Sequence, residues 1–210
     1  MSNPLISLLE QQLGNSDVIE TLAKQVGAKD VGQTQNAANS ILTALMGAVA
    51  KNASSAQGAG ALASALDRDH DGSILDDLAG MLSGSASVQN SKTLNGSGIV
   101  QHLLGDRQNG IVEMVSKVTG MDKQQVGALM VKLAPMLMGI LGKTKKEQGL
   151  DTGALASLLQ GAVTTQKQQG SPVMNMVTAM LDKDGDGSVV DDLVESAGKS
   201  LLGKLFGKKK

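Results

Sequence analysis

Gly60-Ala61-Leu62-Ala63-Ser64 is followed, two residues on, by Asp67-Arg68-Asp69-His70-Asp71-Gly72-Ser73-Ile74-Leu75-Asp76-Asp77. Both pieces return later in the chain, separated there by Leu158 to Leu181. The first five residues recur unchanged as Gly153-Ala154-Leu155-Ala156-Ser157, and the acidic run recurs as Asp182-Lys183-Asp184-Gly185-Asp186-Gly187-Ser188-Val189-Val190-Asp191-Asp192. Apolar residues at helical spacing that run into an acidic loop, twice over, predict an all-α fold. The expected architecture is two related multi-helix units, each ending in an Asp-x-Asp-x-Asp-Gly-Ser loop followed by a helix.

Working outward, the match extends toward the N-terminal side of both loops. Ile19-Glu20-Thr21-Leu22-Ala23-Lys24 aligns with Val112-Glu113-Met114-Val115-Ser116-Lys117, and Gly27 falls on Gly120. With one gap, Leu45-Met46-Gly47 meets Leu137-Met138-Gly139, and Lys51 meets Lys143. The run from Ser83 to Gly98 is Gly/Ser/Asn-rich and too polar to bury much apolar area, so it reads as a linker. The predicted organisation is therefore a first unit over 1–83 with its loop at 67–77, a flexible linker over 84–98, and a second unit over 99–210 with its loop at 182–192.

Cap and stop residues divide the first unit further. Asn3-Pro4 opens a helix to Leu13, Ser16 caps a second that Gly27 ends, and a longer helix runs from about Val31 to Lys51. Ser54-Ser55 introduces the helix that leads into the first acidic loop, and Ser73 to Leu82 forms the helix that leaves it. In the second unit, Pro135 interrupts the apolar stripe Val126, Leu129, Met130, Leu133, Leu137, Ile140 and is expected to kink or split that helix. The polar tract Thr164 to Gly170 is expected as loop, with an added helix over Pro172 to Leu181.

The acidic loops carry the most specific chemistry in the sequence. Carboxylates at alternate positions of a tight loop lie roughly 6 Å apart and repel by about 1–3 kcal/mol per pair. A hard cation that takes about 6–8 oxygens at about 2.3–2.6 Å removes that penalty, which points to Ca²⁺. The predicted ligands are Asp67, Asp69, Asp71, Ser73 and Asp77 at one site and Asp182, Asp184, Asp186, Ser188 and Asp192 at a second. Ser73 and Ser188 would contribute backbone carbonyls, while Gly72 and Gly187 occupy the sharp turn. The twelfth position of an EF-hand loop carries a bidentate Glu, and here it holds Leu78 or Leu193. Closure therefore falls to Asp77 and Asp192, one residue earlier. A plainer reading makes Ser73 and Ser188 helix N-caps, with Asp76 and Asp191 completing capping boxes.

Composition narrows the remaining classes. The 210 residues are 41% hydrophobic, yet they include 11 Met, a single Phe and neither Trp nor Tyr, so helices must pack through Leu, Ala, Val, Ile and Met. A formal charge of −1 offers no global field for nucleic acid, which is excluded as a partner. Without cysteine there are neither disulfides nor thiolate sites. The start of the chain lacks the basic and apolar pattern of a secretory signal, and Leu129 to Leu141 falls short of a membrane span, so the expected compartment is the cytoplasm.

Other residues with chemical potential have plainer explanations. His102 has no neighbouring Asp, Ser or Cys to orient it, and His70 reads as a solvent-facing spacer. No nucleophile elbow, phosphate loop or dinucleotide motif is present, so no enzymatic activity is expected. The tail Leu201 to Lys210, with four lysines, has the composition for contact with an anionic membrane, although a frayed helix end with a solubilising tail is preferred. Met130, Met136 and Met138 are expected as core rather than as a partner groove.

Ile41-Leu42-Thr43-Ala44-Leu45-Met46-Gly47, Lys51 to Ser55, Gly58 to Leu66 and His70 to Asp77 together resemble the bacterial family catalogued as domain of unknown function 937. Leu133-Ala134-Pro135-Met136-Leu137-Met138-Gly139 and Asp184 to Ser188 are similar to the later segment of that family. The resemblance covers about residues 15 to 200 and implies a helical bacterial protein without an established activity or catalytic residues. The expectation is thus a non-enzymatic calcium-binding helical module that contacts a protein partner or itself. The alternative is a self-assembling or membrane-peripheral scaffold whose acidic loops are only helix caps.

Overall fold

The computed structural model describes residues 3–77, 80, 91–168, 170 and 172–181, and no strand occurs among them. In chain order the elements are α1 (Pro4–Leu13), α2 (Ser16–Val26), α3 (Val31–Asn52) and α4 (Ala56–Asp69), then 3-10 turns at Ser73–Asp77 and Ser91–Leu94. They continue with α5 (Gly96–Leu104), a short 3-10 segment (Gly105–Arg107), α6 (Gln108–Thr119), α7 (Lys123–Gln148), α8 (Thr152–Gln168) and α9 (Pro172–Leu181).

Side-chain caps set most of the helix starts. Asn3 Oδ1 accepts from the Leu5 N–H and places Pro4 in the first turn, where a missing N–H costs nothing. Asn15, rather than Ser16, caps α2 by accepting from the Asp17 N–H, so the helix begins one residue earlier than its hydroxyl signal implied. Asp30 caps α3 and Ser55 caps α4 in the same way.

Two helices form the centre of the molecule. In α3 every residue from Ile41 to Ala50 is buried, and in α7 the same holds from Leu133 to Gly142. A helix that is buried all round must be surrounded. Accordingly α3 and α7 pack on each other; α1, α2 and α4 contact α7, while α5, α6, α8 and α9 contact α3. Helices from both halves thus share one continuous core. Met130 and Met136 are completely buried and Met138 nearly so, as expected of gap-fillers in a core without aromatic rings.

Several expectations are corrected. Of the kink or split expected at Pro135, the split does not occur, because the residue lies inside a continuous α7. Burial of the surrounding helix offsets the roughly 3 kcal/mol cost of an interior proline. Thr164 to Gln168 belong to the last turns of α8 rather than to a loop, with the Thr164 and Thr165 hydroxyls donating to the Gln160 and Gly161 carbonyls. Within the expected linker, residues 91–98 carry a 3-10 turn and the start of α5, where Thr93 is buried. The rest of that segment, 84–90, lies outside the described residues. α7 is long and apolar enough to cross a bilayer, but 72% of its most apolar window is buried inside the protein, as befits a core helix.

Candidate functional site

The first acidic run begins on α4 and ends on the turn that follows it. Asp67 and Asp69 occupy the last turn of α4, Asp71 lies in the bend after it, Ser73 opens the 3-10 turn and Asp77 closes it. At about 100° per residue, side chains two apart on a helix diverge by about 200°. Asp67 and Asp69 therefore do not point together while α4 stays helical through Asp69. Among the described residues, no three of the Asp, Glu and His side chains form a group able to hold a metal ion. Asp182, Asp184, Asp186, Ser188 and Asp192, the second predicted set, lie outside the described residues.

Asp67, Asp69 and Asp71 instead have separate partners. Lys145 Nζ of α7 donates to Asp67 Oδ1 at 2.6 Å, joining the two halves of the chain. Arg68 pairs with Asp69 at 3.2 Å. Asp71 Oδ1 accepts from the Ser73 N–H at 3.1 Å, so Asp71 caps the turn where the sequence suggested Ser73 would. Hydrogen bonds from Ser73, aided by the nearby Lys146 charge, hold the Asp71 carboxyl below its ordinary pKa.

The bend is seated directly on α7, and two glycines account for the close fit. Gly72 has φ +94°, a conformation that L side chains avoid, and a Cβ there would lie 2.7 Å from Lys143 Cβ. On the other side of the contact, a Cβ on Gly142 would fall 1.6 Å from the His70 carbonyl oxygen. Ile74, only 2% exposed, rests over Gly139. The loop backbone thus occupies space on α7 that side chains would otherwise fill.

His70 lies under this loop instead of facing solvent as expected. It is 5% exposed, and its Nδ1 has no hydrogen-bond partner. Desolvation lowers its pKa, against a smaller raising effect from Asp69. Sequence reasoning also missed Lys145 and Lys146 as the counter-charges. Their signal was present in Lys143-Thr144-Lys145-Lys146, together with two glycines three residues apart inside a core helix, where glycine is otherwise costly.

Fold and site together define an all-helical protein with an internally docked acidic loop. The family model described as bacterial protein of unknown function (DUF937) matches residues 7–144 and 146–210, and the chain belongs to that family. No curated protein and no solved structure matches it.

Proposed function

We propose that this chain is a non-enzymatic, calcium-responsive helical interaction module. In this reading lysine holds the first acidic loop against α7 in the ion-free state, and Ca²⁺ takes the carboxylates over when it binds. The observation that carries it is the Asp67–Lys145 bridge, which sets a cation against the first carboxylate of the acidic run and links the two halves of the chain through it. An ammonium group satisfies one carboxylate, whereas Ca²⁺ gathers several oxygens. For Asp67, Asp69 and Asp71 to converge, the last turn of α4 has to open and Asp67 has to leave Lys145. Release of the loop would bare the glycine face of α7, a surface on which the helix of a protein partner or a second copy can pack closely.

The sequence repeat extends the same role to Asp182, Asp184, Asp186, Ser188 and Asp192. Binding would stabilise the ion-bound form by RT ln(1 + [Ca²⁺]/Kd), about 2.7 kcal/mol at a hundredfold excess over Kd. A second reading makes the chain a self-assembling or membrane-peripheral scaffold with ion-independent loops, and the cap formed by Asp71 favours it. Isothermal titration of Ca²⁺ into chelator-treated protein separates the two. Calcium binding predicts two sites that an Asp71→Ala, Asp186→Ala double variant loses; no heat above the buffer blank supports the scaffold.

A further inference from the structure

We propose that the cleft between α4 and α5 is a binding site for an elongated, uncharged amphiphile, a ligand with the chemistry of a long-chain alcohol. The inference stands independently of the calcium reading. Asn52 Nδ2, just before α4, donates to the Leu103 carbonyl near the end of α5 at 3.4 Å. Thr93 Oγ1, just before α5, donates to the Asp69 carbonyl at the end of α4 at 2.7 Å. The two helices are therefore antiparallel and tied at both ends. Between the ties lies an open cleft of about 730 Å³.

Small residues keep the cleft open. α4 lines it at successive turns with Ala61 and Ala65, whose methyl groups do not reach across. Gly58 and Gly98 also stand on its walls, but a Cβ on them would meet the Asn52 carbonyl oxygen and the Asn95 side chain. The buried side chains of Val49 from α3 and Met138 from α7 also line the cleft, together with Leu62, Ile99 and Leu103. The size falls within the roughly 300–1,000 Å³ of small-molecule sites, which also occur between the helices of bundles.

The lining selects the ligand class. Among the described residues no lysine or arginine lines the cleft, and the one acidic residue that does, Asp69, is engaged by Arg68. A phosphate or carboxylate would enter an apolar channel with no cation to meet it, at a desolvation cost that an uncharged head avoids. Hydrogen-bonding groups stand at the two ends instead. His70 and Asn95 lie at the α4 C-terminal end, and Asn52 and His102 at the other. The imidazole of His70 is the buried one, and the fold gives its Nδ1 no partner. The apolar body of the ligand lies along Met138 and its hydroxyl meets the polar groups beside His70.

The test uses the full chain and two uncharged probes, Nile red and 1-dodecanol. Nile red emission should rise and shift to the blue on titration, and 1-dodecanol should displace the dye. Laurate, the same chain with an anionic head, should do so at least tenfold less well. Ala61→Phe and Ala65→Phe, each checked for folding by circular dichroism, should weaken dye binding at least tenfold. In wild-type protein, 1-dodecanol should shift the Met138 methyl resonance and leave Met130 unmoved. The proposal is overturned if the Met138 methyl does not respond, if a folded filling variant binds the dye as wild type does, or if laurate competes as well as the alcohol.

Discussion

The loop seat on α7 and the cleft between α4 and α5 are built with the same device and end in opposite states. At the seat, Gly139 and Gly142 remove side chains from a helix face, and the loop from His70 to Ile74 fills the space. At the cleft, Ala61 and Ala65 also keep bulk off a helix face, but no segment among the described residues enters. A small residue on a helix face makes room for an approach; it does not determine whether that approach comes from within the chain. The difference decides where a substitution hurts, because added volume has to displace backbone at the seat and only fills open space at the cleft.

The widest separation between the two regions should come from adding a methyl group at the seat. Gly142→Ala should lower the unfolding free energy by about 1–3 kcal/mol, the usual range for overpacking. Ala61→Leu at the cleft should stay within about 0.5 kcal/mol of wild type, as for an exposed position. Urea denaturation followed by circular dichroism measures both. Equal effects would remove the distinction.

Acid sharpens the contrast next, since His70 belongs to both regions. Its pKa is lowered in the folded protein, so near pH 6 the unfolded chain binds the proton more readily and stability rises with pH. The contribution is complete above the unfolded value of about 6.5 and is lost as the pH falls through the folded value. Thermal melts across pH 5 to 8 should show this slope in wild type and a flatter one in His70→Gln. The smallest effect is expected for Lys145→Ala in chelator. Asp67 is 65% exposed in its bridge, and such pairs contribute about 0–1 kcal/mol.

Helix identity was largely legible in the sequence, because caps and apolar spacing are local. Asn3-Pro4 and Ser55 act where their chemistry said they would. The misreadings fell where a distant partner decides the outcome. Thr164 to Gln168 look polar enough for a loop, yet they extend a helix already anchored by the buried Leu155 and Leu159. Residues 91–94 look like linker, but Thr93 finds the Asp69 carbonyl 24 positions away. His70 was read from its place in a loop pattern, whereas the surface of α7 and the floor of the cleft determine its burial. The acidic residues were read from their spacing as metal ligands; Lys145, which pairs with Asp67, lies 78 positions along the chain and was invisible to a local reading.

The central claim, that Ca²⁺ and Lys145 compete for Asp67 across the last turn of α4, is tested most directly by amide hydrogen exchange at His70. Its N–H donates to the Leu66 carbonyl at 3.3 Å and closes that turn. The account predicts that saturating Ca²⁺ abolishes the protection of this amide and leaves Ala63, deeper in α4, unchanged. Exchange at His70 that is the same in saturating Ca²⁺ and in chelator would contradict it.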